Sequence, residues 1–456
     1  MKIDSLTAIS PVDGRYYKQT YVLKKIFSEY ALLKFRVKVE IYWLKKLFKI
    51  PQILELPKLT HIIENELDNI WRSFDIIAAQ EIKLIEKTTK HDVKALEYYL
   101  RKKFLSIPSL KNITEFIHFG CTSDDINNLA YSLMLQEATS TVILPYWKQL
   151  LNIIKKNALN YKKIAMLSHT HGQPATPSTI GKEFANFFYR MQRQYDQLKK
   201  IKFLGKLNGS TGNYNALLFA YPTVNWHQVS EEFVSSLGIV WNPYTTQIEP
   251  HDYIAEFFSC ISRFNTILIN FNQDFWGYIA LEYFKQKKNS QEVSSSIMPH
   301  KINPINFENS EANLSMANSL MNFMSTKLPI SRWQRDLTDS SILRNIGLVI
   351  SYSVIAYDSC LLGISKLDLN IDKILEKLNS NWQILAEPIQ TLMRKHGIKN
   401  AYELLKTLTR AKYVDSNKIL DFINSLTLPL EEKDRLKKLT PSNYLGMASE
   451  IIENLK

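Results

Sequence analysis

The stretch HDYIAEFFSCISRFNTILINFNQDFWGYIALEYFKQK, residues 251–287, contains no proline and places apolar side chains at helical spacing. Four more stretches of this kind cover residues 128–158, 182–203, 306–327 and 341–366. Each predicts a long amphipathic helix, and such helices bury their apolar stripes by packing against one another. Strand-like alternation is almost absent. The sequence therefore predicts an all-α protein built around a central bundle of long helices.

Shorter helical stretches flank the predicted bundle. Before it, residues 21–48, 61–86 and 92–104 carry apolar residues at three- and four-residue steps. After it, the predicted helices are residues 371–395, 401–409, 418–425 and 431–438. We therefore expect three helical domains: an N-terminal domain of residues 1–112, a central helix bundle of residues 113–366 and a C-terminal domain of residues 367–456.

The composition is that of an ordinary globular protein, with 45% hydrophobic and 22% charged residues. Only 13 glycines and 16 prolines occur in 456 residues, which excludes collagen-like and proline-rich chains. The net charge of +13 fits either a nucleic-acid-binding protein or an enzyme with phosphate- and carboxylate-bearing substrates. Lysine is scattered and no RRM-type or zinc-finger pattern occurs. The positive charge is therefore attributed to a biased genome composition together with an anionic substrate, rather than to a nucleic-acid partner.

We expect a cytoplasmic protein without a membrane span. Residues 1–10 contain no apolar run, so no signal peptide is predicted. The most apolar late stretch, residues 346–357, is shorter than the roughly 20 residues of a membrane-spanning helix. Cys121, Cys260 and Cys360 are few and far apart, which argues against a disulfide framework and fits a reducing compartment.

The polar connections between predicted helices carry the reactive side chains. The sequence SSSIMPHKINP occupies residues 294–304 and precedes a predicted helix that carries Glu308. Three adjacent hydroxyls near Lys301 and Asn303 suit an anion, because positive charge and N–H donors favour a deprotonated hydroxyl. Taken alone, a serine-rich loop is more often a solvated linker.

This segment resembles the signature loop of the fumarase/aspartase superfamily, Gly-Ser-Ser-x-Met-Pro-x-Lys-x-Asn-Pro. Every defined position matches except the first, where Ser294 replaces glycine and is expected to stiffen the loop. The resemblance implies that Ser295 is the general base that removes a proton from the succinyl carbon next to a carboxylate. Lys301 would stabilise the enolate that forms, and Ser296 and Asn303 would bind the substrate.

A second loop, THGQPATP at residues 170–177, resembles the superfamily stretch that carries the general acid. The prolines and small residues around His171 predict extended backbone rather than helix. A lone histidine is more often structural, but the resemblance implies that His171 protonates the departing nitrogen. Glu308 would pair with it, fix the tautomer and raise the pKa of the imidazole.

Neither a metal nor a cofactor is expected. His169 and His171 are spaced as a metal pair might be, but no HExxH or CxxC pattern accompanies them. The stretch GKLNGSTGN, residues 205–213, invites a P-loop interpretation. It lacks the Gly-Lys-[Ser/Thr] ending and no strand is predicted before it, so we predict a tight turn between helices, close to the active site.

A third loop, FGCTSDDINN at residues 119–128, matches the superfamily pattern Thr-Ser-x-Asp-x-x-Asn. Thr122 and Ser123 are suited to bind a carboxylate through hydroxyl and helix N-terminal N–H groups. Ser123 or Asp124 could equally cap the helix, and both interpretations can hold together.

In register along the whole chain, the sequence resembles the branch of the superfamily that acts on a purine nucleotide at four further stretches, residues 10–16, 88–93, 245–252 and 331–336. Arg335, Ser340 and Arg344 would bind its 5′-phosphate, with positions 340 and 344 on one helix face. The remaining predicted contacts are Arg15 and Tyr16 at the phosphate, Lys90 and Asp92 at the ribose and phosphate, His91 at a carboxylate, and Gln247 at the succinyl group or base amide.

The resemblance implies β-elimination of fumarate from adenylosuccinate, which yields AMP, and from the succinyl-carboxamide ribotide SAICAR, which yields AICAR. It also implies a homotetramer whose active sites combine loops from three subunits. Two alternatives stay open. One is cleavage of argininosuccinate or another fumarate-releasing reaction of the superfamily, and the other is a lyase fold kept for a structural or nucleic-acid-binding role.

Overall fold

The structure is a computed structural model that describes residues 4–287, 297–298, 301–409, 414–453 and 455. The expected all-α class is confirmed. The helices before the long ones are α1 (Tyr17–Phe27), α2 (Glu29–Leu47), α3 (His61–Arg72), α4 (Ile76–Thr89) and α5 (Asp92–Leu105). The next are α6 (Ser123–Ala138), α7 (Leu144–Asn160), α8 (Ile180–Leu198), α9 (Asn215–Ala220), α10 (Trp226–Ser236), α11 (Asp252–Ala280), α12 (Ile305–Lys327), α13 (Thr338–Leu343) and α14 (Ile346–Ser365).

Short helices and strands complete the described part of the chain. The C-terminal helices are α15 (Ile371–Asn379), α16 (Ala386–Lys395), α17 (Ala401–Thr409), α18 (Ser416–Ser425), α19 (Leu430–Lys437) and α20 (Glu450–Glu453). A π-helical turn, Thr139–Ile143, joins α6 to α7, and 3-10 turns occur at Lys111–Phe116 and Trp382–Leu385. Three two-stranded sheets pair β1 (Ala165–Thr170) antiparallel with β2 (Gln173–Thr179), β3 (Leu204–Gly205) parallel with β4 (Val240–Trp241), and β5 (Phe284–Gln286) antiparallel with β6 (Leu367–Leu369).

The main differences from the predicted helices are interruptions. The predicted helix at residues 21–48 is two helices, because Ser28 accepts the backbone N–H of Ala31 on its Oγ at 3.2 Å and so begins α2. Asp75 begins α4 in the same way, with its Oδ1 2.9 Å from the N–H of Ala78. The predicted helix at residues 341–366 is likewise divided between α13 and α14.

Contacts divide the chain into two compact units, each built from three segments. Unit 1 consists of Met1–Trp147, Gln194–Thr266 and Ala312–Asp358. Unit 2 consists of Lys148–Arg193, Ile267–Glu311 and Ser359–Lys456. The predicted boundaries after residues 112 and 366 describe continuous domains and stay a prediction.

Unit 1 packs its long helices through aromatic rings and one buried amide. The Trp147 and Phe264 rings stack with their centroids 3.7 Å apart. Next to them, Asn265 donates its amide to Ser353 Oγ at 3.0 Å and accepts the Tyr357 hydroxyl at 2.6 Å. A buried polar group is tolerated when it is hydrogen-bonded, so this amide fixes how α11 and α14 pair without destabilising the core.

Unit 2 has a phenylalanine-rich core. Phe184 of α8 packs on Phe275 of α11 with ring centroids 4.5 Å apart, and Phe271 stacks on Phe275 at 4.2 Å. The short C-terminal helices enclose a second apolar cluster. Its fully buried members include Leu378, Leu385, Ile389, Met393 and Ile423.

One segment of the described chain, Thr338–Ser365, has the length and apolar composition of a membrane-spanning helix. In the folded chain, 67% of its apolar window is buried inside the protein. This is the pattern of a helix that belongs to the core of a folded domain.

Two glycines of unit 2 test the packing of its helices. A Cβ at Gly181, at the start of α8, would lie 2.4 Å from the carbonyl oxygen of Ala158, whereas a Cβ at Gly277 in α11 meets nothing within 4 Å. We expect Gly181→Ala to lower the free energy of unfolding by about 1–3 kcal/mol, because the backbone around Ala158 must move to make room for the added Cβ. Gly277→Ala should raise it by roughly 0.5–1 kcal/mol, since alanine favours a helix. Chemical denaturation of both variants measures this, and equal effects would contradict the packing described.

Candidate active site

The start of α6 presents Thr122 and Ser123 in a capped arrangement. Thr122 and Asp125 form a capping box, in which the Thr122 side chain accepts an N–H of the first turn and Asp125 Oδ2 accepts the Thr122 N–H at 2.8 Å. The helix is therefore capped from Thr122, not from Ser123 or Asp124. Carboxylate binding by Thr122 and Ser123 stays a prediction.

A buried ion pair fixes residues 205–213 against this helix start. Asp125 and Lys206 have side chains without solvent exposure, and Lys206 Nζ lies 2.8 Å from Asp125 Oδ1. The same carboxylate accepts the backbone N–H groups of Asn208 and Gly209 at 3.0 and 3.1 Å. The positively charged amine of Lys206 and the backbone N–H groups of Thr122, Asn208 and Gly209 together compensate the desolvation of Asp125. The sequence prediction of no strand here was wrong, since β3 precedes Lys206.

Residues 205–213 also hydrogen-bond to the connection that precedes α11 and carries Gln247. Asn208 donates its amide to Thr245 Oγ1 at 2.7 Å, and Gln247 donates its amide to the Ser210 carbonyl at 3.1 Å. Gly212 has φ +81°, and a Cβ there would lie 2.4 Å from the Thr245 carbonyl oxygen, so only glycine fits. The loop thus ties two of the predicted substrate-binding segments together.

Arg335 contacts the Gln247 connection as well. Its Nη1 donates to the side-chain oxygen of Gln247 at 3.3 Å. The structure therefore brings Gln247 and Arg335 together within unit 1, although 88 residues separate them in sequence. Ser340 is linked to its neighbour, since its backbone N–H donates to Asp339 Oδ1 at 2.7 Å.

Asp92 lies between two arginines. Arg36 Nη2 and Arg344 Nη2 both approach its Oδ2, at 2.9 and 3.0 Å, and its Oδ1 accepts the Val93 N–H at 2.9 Å. Burial alone would raise the pKa of Asp92, but the positive charges of the two guanidinium groups outweigh it and hold the pKa far below its ordinary value. Asp92 is therefore ionised, and its Oδ2 is paired with both Arg36 and Arg344.

Arg344 lies just after α13, at the break before α14, so the predicted single helix face with Ser340 ends at this residue. A cavity of about 250 Å³ adjoins it, with Lys24, Ser28 and Ser351 in its lining. Phosphate binding at Arg344 stays a prediction.

Of the remaining predicted nucleotide contacts of unit 1, His91, Lys90 and Arg15 are exposed and Tyr16 is half-buried. His91 caps α5: its Nδ1 accepts the Lys94 N–H at 3.1 Å, which leaves Nε2 as the N–H donor of the neutral ring. Lys90 precedes it in a left-handed conformation with φ +54°. Arg15 is exposed and its guanidinium lies 5.9 Å from the centroid of the Tyr16 ring.

In unit 2, His171 occupies the tip of the β1–β2 hairpin. His171 and Gly172 have φ +54° and +74° and form a two-residue turn between the paired residues Thr170 and Gln173. This is the backbone of the tight hairpin turn whose twist suits two paired strands. The expected extended backbone was wrong at His171 itself, although the flanking residues are extended. The side chain is exposed at the tip.

Glu308 lies in the first turn of α12, where its Oε1 accepts the indole N–H of Trp276 at 3.0 Å. Lys301 is exposed on the segment before α12, and Asn303 is half-buried there. The predicted pairing of Glu308 with His171 stays a prediction. Ser295 and Ser296 lie outside the described residues.

Several buried charged residues were not predicted from sequence. Arg36 lies on the apolar face of α2, and a charge among buried side chains such as Leu32 and Val39 was the signal that could have found it. His251 and Asp339 form a buried pair with no such local signal. In the described part of the chain, no group of three or more His, Cys, Asp or Glu side chains could hold a metal ion.

Comparison with known proteins identifies the relatives of this chain. A family model described as "Lyase" matches residues 14–318, and one described as "Adenylosuccinate lyase C-terminal" matches residues 331–445. The chain is 60% identical to adenylosuccinate lyase from Buchnera aphidicola subsp. Acyrthosiphon pisum and 59% identical to that from Escherichia coli K12. Each alignment spans 456 residues and 100% of both proteins.

Solved structures agree on the fold. The fumarate lyase of Mesorhizobium sp. BNC1 superposes with a TM-score of 0.76 at 17% identity, covering 95% of this chain and 97% of that one. The 3-carboxy-cis,cis-muconate lactonizing enzyme of Pseudomonas putida gives a TM-score of 0.74 at 19% identity, with 95% and 96% covered.

The helical fold and the three polar loops define a C–N lyase of the fumarase/aspartase superfamily. Within that class, the full-length matches are decisive. The chain belongs to the adenylosuccinate lyase family.

The ion pairs of Asp92 predict a pH-dependent stability. Because its pKa is depressed in the folded chain, the ionised carboxylate adds stability above its unfolded value of about 3.9, and this is lost as the pH falls below that value. We expect Asp92→Asn to destabilise the protein more at about pH 7 than at about pH 3. Chemical denaturation at both pH values measures the difference. Asp421→Asn, at an exposed position of α18, is the control, and a pH-independent loss in Asp92→Asn would contradict the assignment.

Proposed function

We propose that this protein eliminates fumarate from adenylosuccinate to give AMP, and from SAICAR to give AICAR. The observation that carries the proposal is the group of nucleotide-type side chains in unit 1, where Arg344 is held on Asp92 and Arg335 on Gln247. Superfamily members without a nucleotide substrate have no use for such a set. The full-length relatives named adenylosuccinate lyase support the same reaction.

The proposed chemistry is a base-initiated elimination. Ser295 takes the proton from the succinyl carbon next to a carboxylate, and the electron pair spreads into that carboxylate. Lys301 and Asn303 stabilise this enolate, because preorganised donors act strongly where charge develops. The C–N bond then breaks, fumarate leaves, and His171 supplies a proton to the departing nitrogen. The exposed position of His171 at a rigid two-residue turn supports this role, since it presents the ring to a ligand.

Different residues bind the phosphate and succinyl groups of the substrate. The 5′-phosphate is bound by Arg344, Ser340 and the Arg15–Tyr16 pair. A succinyl carboxylate is bound by the hydroxyl and N–H donors of Thr122 and Ser123. His91, with Nε2 as donor, fits a second carboxylate.

We infer a cytoplasmic homotetramer in which each active site combines loops of three subunits, with Glu308 reaching His171 in the assembly. The long helices expose apolar side chains that a partner subunit would cover. They include Trp276, Met316, Phe323 and Leu362, with exposed fractions between 45% and 51%. The free thiols of Cys121, Cys260 and Cys360 fit a reducing compartment.

The reaction is tested by ultraviolet absorbance after purified protein is mixed with adenylosuccinate. We expect the spectrum to change as AMP and fumarate appear. Argininosuccinate in a parallel assay separates this activity from that of another superfamily member. Salt-dependent RNA binding without fumarate release would favour the nucleic-acid role instead.

The proton-transfer roles predict two inactive but folded variants. Ser295→Ala and His171→Ala should each lower kcat by about two to four orders of magnitude, the usual contribution of a general base or acid. Circular dichroism and size-exclusion chromatography should match those of the wild type.

Matched controls change a neighbour of each residue. His169→Ala removes an exposed imidazole two positions away on β1, and Ser294→Gly restores the superfamily residue beside Ser295. Both should retain turnover. A rate near that of the wild type in Ser295→Ala or His171→Ala would reject the role of that residue.

A further inference from the structure

Four buried ionisable side chains lie together in unit 1 beside the proposed substrate contacts. Asp124, Glu249, His251 and Asp339 have exposed fractions of 3%, 1%, 3% and 7%. None of them takes part in the proposed proton transfers. Buried charges are unfavourable unless they are paired, so a group of this kind requires a compensating arrangement.

His251 is at the centre of this group. Its Nε2 lies 3.2 Å from Asp339 Oδ2, and its backbone N–H donates to Glu249 Oε2 at 2.8 Å. The residue has φ +67°, in the left-handed region, immediately before α11. Positive φ is uncommon for residues other than glycine, and these two contacts stabilise it here.

The charges around His251 favour its protonated form. Burial alone would lower its pKa, but the hydrogen bond with Asp339 and the charges of Asp124 and Glu249 reverse this and raise it. Burial raises the pKa of Asp124, with Lys206, His251 and Arg335 acting against the rise. Asp124, Glu249 and Asp339 therefore act together to favour the imidazolium form of His251.

Each carboxyl group adjoins a proposed substrate contact. The Oδ1 of Asp339 accepts the backbone N–H of Ser340 at 2.7 Å, while its Oδ2 faces His251. Glu249 follows Gln247 by two positions, and Asp124 follows Ser123 directly. His251 thus connects the starts of α11 and α13, which carry parts of the nucleotide site.

We propose that His251 is a positioning residue that, through Asp339, holds Ser340 and the Gln247 connection in the geometry that binds the nucleotide. The inference rests on the proposed function, because it assigns Ser340 and Gln247 to substrate. His251 itself touches no reacting atom. Its removal should therefore weaken ground-state and transition-state binding alike.

The test is His251→Asn in the full-length protein. Asparagine tolerates the left-handed backbone but carries no positive charge. We expect the KM for adenylosuccinate to rise about tenfold while kcat stays within about threefold of the wild type. AMP binding, measured by calorimetry, should weaken by a similar factor. A KM within about twofold of the wild type, or a fall in kcat alone, overturns the proposal.

The pH dependence separates charge from packing. His251 faces Asp339 from α13, Asp124 from α6 and Glu249 from its own connection, with Lys206 and Arg335 near Asp124. The wild-type imidazole is charged at low pH and loses its proton as the pH rises through its raised pKa. The ratio of the KM of His251→Asn to that of the wild type should therefore fall as the pH rises through this raised pKa. A constant ratio indicates a packing role and overturns the proposal.

A second variant covers the case in which His251→Asn does not fold. Asp339→Asn keeps an acceptor for the Ser340 N–H but removes the charge that faces His251, and it should raise KM in the same direction. If neither variant folds, wild-type AMP affinity decides: it should weaken as the pH rises through the raised pKa of His251, and an affinity that does not change with pH overturns the proposal.

His61→Asn is the matched control, since His61 is exposed at the start of α3, and it should not change KM. Absence of fumarate release in the wild type would instead reject the proposed function. Failure of the proposed function is therefore distinguishable from failure of the proposal for His251.

Discussion

The carboxylate of Asp125 is the constraint on which the nucleotide-type half of the site depends. It has no access to water, and in the described part of the chain its charge is compensated by Lys206 and the backbone donors of Thr122, Asn208 and Gly209. One side chain thereby determines where α6 begins and where residues 205–213 run. Removing one partner of a buried pair leaves an uncompensated charge, so exchanging Asp125 or Lys206 alone is expected to destabilise the fold strongly.

Much of the fold was predictable from the sequence, because apolar residues at helical spacing mark α5, α8, α11 and α12 closely. The breaks at Ser28 and Asp75 were not predicted, since the apolar period continues across them and the capping side chain decides. The hairpin that carries His171 was missed for a different reason. Its signal is a His-Gly pair able to adopt two positive φ values, which a pattern of prolines and small residues obscures.

The sequence predicted the loop residues of the candidate site but not the charged side chains that support them. The loop motifs gave His171, Thr122 and Ser123 through resemblance to a superfamily, and no spacing rule alone would have selected them. The supporting charges could not be predicted in this way. Arg36 reaches Asp92 from another helix, and His251 reaches Asp339 across 88 residues, so each pair exists only in the folded chain. Sequence motifs point to candidate ligand contacts more readily than to the side chains that hold those contacts in place.

The salt bridge of Asp92 with Arg344 has a consequence for turnover. In the proposed complex, a nucleotide phosphate arriving at Arg344 meets a guanidinium that already has a counter-ion. Some binding energy is given up, because the arriving anion has to share its arginine. In return, Arg344 itself is not a bare positive charge in the empty site, and AMP leaves behind a pair that is already neutralised. For a phosphate bound at Arg344 as proposed, this pairing favours product departure over product retention.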